Sequence, residues 1–512
     1  VTFNRMQIRN LALAAVAVCA AAPFASAQRG GPDWTTTAGD AQRTAWVRYD
    51  PVINAAKMPK SGFTYLWKVP MAGTAGRPSE PVLISTYIGY RGFKALTVVT
   101  GPNYIYTVDY DLGVPYWDQH YKSTAAATTC AVWPSAIGKL SPLTPAAPRM
   151  PRAAAPYHSY TGKPHEGIPL EVGMGGQLGA AGAAAAAQRQ AAPAQALPPG
   201  IRFSVPIFLV TSDGMAHAIT FDSGKEAFQP VAFLPKGSAA SDLIVVQNTL
   251  YAATMPGCGS APNSIYALDV STKDMKPLGT WKASTGNVLG APAFNKAGTL
   301  FVSTDKGLYS LHEKTLEATT VAEAPLASTP VIITGKDKEW VAAGTKDGSI
   351  VLMDASGAAA TPIKATAGFT PTALSTFDDA SGAHWLLATD TTKATGAVHA
   401  FKITESGSSP SLQEVWKSAD MAAPGRPLVV DGVVFTLATG ADRSGSGMKP
   451  PVKGTHATVY AMDAATGKPI WDSGTTITSY VGTGGLAFNE GQLFVATADN
   501  TLYSFGKPEP HQ

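Results

Sequence analysis

Cysteine, charge and long apolar runs are all scarce in this chain of 512 residues, and each scarcity removes a class of function. There are three cysteines, no two adjacent, and no Cys-x-x-Cys-His, so attachment of a haem is not expected. Charged residues make up 15% and the formal net charge is +3. A nucleic-acid surface needs a basic face, so nucleic acid is not an expected partner. Beyond residue 27 no apolar run approaches the roughly 20 residues a membrane-spanning helix needs. A Gly-x-Ser-x-Gly elbow, a Walker loop and His-Glu-x-x-His are all missing. The nine histidines are scattered, and His165-Glu166 stands by itself. Glycine (50) and proline (39), by contrast, are plentiful, as expected where tight turns join many short strands.

Residues 1–27 read as a signal peptide. Arg5 and Arg9 form a basic start, Leu11 to Ala22 an apolar stretch, and Ala25-Ser26-Ala27 a small-residue cleavage site before Gln28. Val18 is too large for a lipoprotein site at Cys19. The expected mature chain, 28–512, is therefore periplasmic or secreted and carries no integral membrane segment. Loss of Arg5 and Arg9 takes the net charge from +3 to +1. Cys130 and Cys258 then remain, and an oxidising compartment makes them candidates for a disulfide, with two buried thiols as the alternative.

A short phrase recurs eight times: Tyr106-Thr-Val-Asp109, His217-Ala-Ile-Thr220, Tyr266-Ala-Leu-Asp269, Tyr309-Ser-Leu-His312, Val351-Leu-Met-Asp354, His399-Ala-Phe-Lys402, Tyr460-Ala-Met-Asp463 and Tyr503-Ser-Phe-Gly506. The best copies continue to a Trp eleven residues on, from Tyr106 to Trp117 and from Tyr460 to Trp471, with Gly113 and Gly467 at matching places. Repeats of this length built from strands and turns predict an all-β fold, a β-propeller of four-stranded blades. Eight copies predict eight blades, or seven if the second repeat is incomplete. The last repeat has three strands, and Phe63 to Pro70, which carries Trp67, is the expected fourth. That pairing closes the ring and removes an open sheet edge. Alternation in Leu300 to Ser303 and in Val433 to Leu437 predicts strands with one face toward each neighbouring blade. The second repeat is stretched by 141–200, an Ala-, Pro- and Gly-rich insertion with no apolar stripe, read as largely disordered.

Tyr460-Ala-Met-Asp-Ala-Ala-Thr-Gly-Lys-Pro-Ile-Trp471 resembles the outer-strand motif of pyrroloquinoline-quinone (PQQ) propeller repeats. Asp33-Trp34 through Gly39-Asp-Ala-Gln-Arg43-Thr-Ala-Trp46 resembles the N-terminal segment common in secreted members. The resemblance covers nearly all of 28–512 outside the insertion. It implies a quinoprotein-type propeller and, in working dehydrogenases of that type, PQQ on the ring axis with calcium. The motif itself is packing chemistry: Tyr and Trp fill the space between blades, Asp caps a turn, and Gly takes the bend. Trp117-Asp118 and Trp471-Asp472 supply the WD40 dipeptide twice, but its Gly-His partner is missing.

Candidate site residues follow from where inner strands begin and where loops between second and third strands are long. These two features share one face of a propeller. Gly76-Arg77-Pro78 and Gly425-Arg426-Pro427 repeat at two inner-strand starts. Asn263 ends the long loop of the third repeat, and Asp442, Arg443, Lys453 and His456 lie in that of the seventh. Arginine near the axis suits a carboxylate, which it grips bidentately. His217 and His399 occupy the Tyr column and are expected to pack. No catalytic or metal-binding residue can be assigned. Two functions remain open, a binding or scaffold propeller of the cell envelope, with an envelope protein or small molecule as partner, and a PQQ-dependent dehydrogenase of alcohols or sugars.

Overall fold

The computed structural model describes residues 33–71, 78–89, 92–101, 104–122, 135–137, 206–238, 240–254, 256, 261, 263–335, 338–358, 363–406, 409–444, 453–482 and 484–508. Residues 1–27, expected to be a signal peptide, the segment 141–200, Arg77, Cys130 and Cys258 lie outside them.

Turn chemistry and strand chemistry alternate along the chain, and each cycle gives one antiparallel four-stranded blade. Eight such blades are present among the described residues. Their inner strands are Val82–Gly89, Ser135–Ile137, Ala240–Val246, Ala293–Phe294, Val331–Thr334, Ala373–Asp378, Leu428–Val430 and Leu486–Asn489, numbered here as blades 1 to 8. Blade 8 takes its outer strand, Thr64–Pro70, from the other end of the chain, paired antiparallel with Thr501–Gly506. Its register sets Tyr65 opposite Phe505 and Trp67 opposite Ser504. Blade 2 is complete, with Ser135–Ile137 paired to Pro206–Val210.

Middle strands are buried on both faces, and alternation decides which neighbour each side chain meets. Val433, Phe435 and Leu437 of blade 7 pack with Phe488 and Phe494 of blade 8. Val434 points the other way, into the group holding Trp385 and Leu387 of blade 6. Leu300 and Val302 likewise join the blade 3 side, and Phe301 the blade 5 side.

The Trp of one blade docks on the turn of the next. The Trp416 indole N–H donates to the Ala464 carbonyl at 2.9 Å, and Trp67 does the same to Tyr110 at 3.1 Å. Beneath Trp416 sits Gly467, at φ +69°, where a Cβ would fall 2.5 Å from the ring. Gly113 stands in the same relation to Trp67. Glycine is required there twice over, by the left-handed backbone and by the closeness of the indole. Asp463 caps that turn, its Oδ1 accepting the N–H groups of Ala465 and Thr466. His217 and His399 do pack in the Tyr column. His217 lies against Tyr121 and Glu226, and His399 stacks on Phe369 at 4.0 Å and meets Glu414.

The N-terminal segment does more than lead into the ring. Residues 33–47 cross its interior, hydrogen-bonded to one inner strand after another. Trp34 forms a bridge with Leu83 of blade 1, and the Thr36 hydroxyl donates to the Leu243 carbonyl of blade 3 at 2.7 Å. The carbonyls of Ala41, Gln42, Thr44 and Ala45 then accept the N–H groups of Phe294, Ile332, Thr376 and Val429, in blades 4, 5, 6 and 7. Trp46–Val47 finally runs parallel to the inner strand of blade 7. The cost of this path is visible in Ala38, Arg43 and Ala45, non-glycine residues at φ +59°, +62° and +50°.

Candidate functional site

Filling the channel with backbone places four charged side chains at one mouth of the ring. Arg43 comes from the crossing segment and Asp242 from the inner strand of blade 3. Glu80 and Arg426 immediately precede the inner strands of blades 1 and 7, on the same face as the second-to-third loops.

Arg43 is 4% exposed and makes a buried ion pair with Asp242, Nη1 to Oδ2 at 3.0 Å. Its Nε donates to the Pro292 carbonyl at 3.0 Å, and Nη1 also donates to the Thr37 carbonyl at 2.7 Å and the Thr36 hydroxyl at 3.1 Å. Nη2 is buried with no hydrogen-bond partner, as is Nε of the partly exposed Arg426. Burial works against the charge of Arg43, Asp242 supports it, and Arg426 works against it again. Glu80 Oε1 accepts the Ala38 N–H at 2.8 Å and the Trp34 indole N–H at 3.1 Å. Gly485 makes room for the carboxylate, since a Cβ there would fall 2.3 Å from Oε2. Asp40, on the same segment, accepts the N–H and the hydroxyl of Thr44 at 2.9 and 2.5 Å, and burial raises its pKa.

Burial pushes Glu80 up from the usual carboxylate range to about 7, against the pull of Arg426, the Ala38 N–H and the Trp34 indole. A carboxyl raised on folding contributes stability that is fully present below its unfolded value near 4.5 and is lost as pH rises through about 7. Glu80→Gln keeps an acceptor for Trp34 and Ala38 but cannot ionise. Its melting temperature is therefore expected to gain on the wild type steadily from about pH 5 to about pH 8. A constant difference between the two proteins across that window would contradict the assignment.

The other sequence-derived candidates are placed differently. Arg426 is the one brought into the four-charge group. Asn263 is tied to the connection between blades 3 and 4, accepting the Val288 N–H at 3.2 Å and donating to Asn287 Oδ1 at 3.1 Å. Asp442 pairs with Lys453 at 3.1 Å and accepts the Ser444 N–H and hydroxyl, and these hydrogen bonds hold it down at about 2. Arg443 is partly buried on the same loop, and burial lowers its pKa. His456 is exposed. Arg43, Glu80 and Asp242 were not among the candidates. A signal for Asp242 was there, a carboxylate directly before the apolar run Leu243 to Val246, and Glu80 lies three residues beyond Arg77.

Comparison with known proteins agrees with this architecture. The family model described as outer membrane protein assembly factor BamB matches residues 455–509, in blades 7 and 8. No curated protein matches the sequence. Among solved structures, BamB from Moraxella catarrhalis is 10% identical, with 88% of this chain and 99% of that chain covered and a TM-score of 0.48. A quinohemoprotein alcohol dehydrogenase from Pseudomonas putida HK5 is 10% identical over 94% of this chain and 82% of its own, at 0.52. A europium-containing methanol dehydrogenase is 10% identical over 94% and 98%, at 0.53. At such identity the likeness is one of fold. The likeness to the two dehydrogenases supports the β-propeller architecture described above, and the family match places PQQ-like repeat sequence in its last two blades.

Proposed function

We propose that the protein is an exported binding or scaffold propeller of the cell envelope, with the charged mouth as its ligand-facing surface. The observation that carries this reading is where the chain spends its residues. The repeat's Trp, Asp and Gly are used between blades, and residues 33–47 cross the ring's interior, which leaves the partly exposed Glu80 and Arg426 beside the buried Arg43–Asp242 pair as the mouth's charged groups. The family match over 455–509, to an assembly factor, supports the same class.

A PQQ-dependent dehydrogenase of alcohols or sugars is the second reading, supported by one feature, the two arginines. PQQ carries carboxylates, and the unmet N–H groups of Arg43 and Arg426 suit them. Calcium fits less well, because the described residues contain no group of three or more His, Cys, Asp or Glu side chains able to hold a metal. No reaction step is therefore drawn through either. Export and the Cys130–Cys258 disulfide belong to the same proposal. Titration with PQQ, with and without calcium, separates the readings. The expected result is no calcium-dependent binding in the micromolar range and no reduction of an artificial electron acceptor with alcohols or sugars. Stoichiometric, calcium-dependent binding with turnover would make the protein a quinoprotein dehydrogenase instead.

A further inference from the structure

We propose that the mouth is a proton-linked site for a small carboxylate ligand, whose carboxylate lies between Arg43 and Arg426 while Glu80 serves as the exchangeable counter-charge. The inference rests on reading the mouth as the ligand-facing surface and adds the ligand class and its control.

Two guanidinium groups share this mouth, and each has one buried nitrogen with no hydrogen-bond partner. Buried donors on charged groups are rarely left unmet, and here both are on like charges that oppose each other. Arg43 cannot swing out to water to relieve this, since its side chain is 5% exposed and three of its hydrogen bonds go to the Pro292 and Thr37 carbonyls and to Asp242. Nor are the nearby carboxylates free to move between the arginines. Asp242 Oδ2 is committed to Nη1 of Arg43, its Oδ1 is itself buried with no hydrogen-bond partner, and Glu80 Oε1 is held by Trp34 and Ala38. An external carboxylate, with two oxygens and several lone pairs, offers what both unmet donors require.

The charges that face Glu80 are Arg426, Arg43 and Asp242, and Asp40 acts on Arg43 from the same segment. Glu80, raised by burial to about 7, is the member that changes charge near neutrality. When ionised it cancels part of the positive field and repels an incoming carboxylate. When protonated it leaves both arginines to the ligand and keeps its contacts to Trp34 and Ala38. For unit charges about 4–6 Å apart at an effective dielectric near 20, the coupling is roughly a hundred- to a thousandfold in affinity. Linkage is reciprocal, so binding takes up a proton.

The test is a calorimetric titration of the full chain with succinate near pH 6 and near pH 8, in buffers of different ionisation enthalpy. Binding at least tenfold tighter at the lower pH, with net proton uptake near pH 8, is expected. Glu80→Gln should bind equally at both values, with the strength the wild type shows at the lower one. Arg426→Gln should weaken binding at least tenfold at both. No succinate binding, or binding without proton uptake by the wild type, would overturn the proposal without any variant being needed. If Arg426→Gln weakens binding but Glu80→Gln keeps the wild-type pH dependence, the linkage falls and the ligand site stands. Unweakened binding by Arg426→Gln means the carboxylate binds elsewhere, and the site falls too.

Discussion

Arg43→Ala is expected to cost about 3–5 kcal/mol of folding stability, the range for removing one partner of a buried ion pair. The reason is what the substitution leaves behind. Asp242 keeps a charge in a buried position that burial alone already disfavours, and its chief compensation is the Arg43 guanidinium. The carbonyls of Thr37 and Pro292 lose donors at the same time. Chemical denaturation measures the loss, and a change below about 1 kcal/mol would show that the pair is not what anchors the crossing segment. Two companion variants separate the contributions. Arg43→Met with Asp242→Leu removes both charges and should recover much of the loss, because a buried pair is commonly replaceable by apolar groups. Arg43→Gly removes the same side chain as alanine but accepts φ +62° freely, so it should be the more stable of the two by about 1 kcal/mol.

The second large effect is expected at the seam between blades 6 and 7. Trp416 is 8% exposed, fills the space over Gly467 and donates to the Ala464 carbonyl. Trp416→Ala should cost about 3–5 kcal/mol. Gly467→Ala should cost about 2–4 kcal/mol, combining a left-handed backbone with a methyl group driven into the indole. The pair is predicted to be strongly non-additive. Once the indole is gone the added methyl has room, and only the backbone part of the Gly467 cost should remain. Additive losses in the double variant would mean that Trp416 and Gly467 are not in the contact described.

Stability and binding are thus expected to divide between two sets of residues. The blade seams hold the ring together, and Glu80 and Arg426 tune its mouth. Arg43 belongs to both sets, because the segment that fills the channel also carries the charge that the mouth presents.

Much of the architecture was legible before any coordinates. The Tyr-x-apolar-Asp phrase, its spacing to Trp, the fit of Gly113 and Gly467 to the turn and the spare strand at Phe63 to Pro70 together predict eight blades and their closure. They do so because, outside the closing blade 8, a blade is local: its four strands follow one another along the chain, and turn residues and alternation act over a few positions. The same locality explains the sorting of Val433, Val434 and Phe435 between two neighbours. The mouth could not be read this way. Arg43 and Asp242 are 199 residues apart, and Trp34 and Glu80 are 46 apart. Their meeting depends on residues 33–47 crossing the ring, and no repeat encodes that path. It is set by which inner-strand N–H groups are still unpaired once the blades have assembled, and by the carbonyls that Ala41, Gln42, Thr44 and Ala45 can turn toward them. Sequence alone therefore determined the ring, through contacts between near neighbours, and only the tertiary structure decided which charges share its axis.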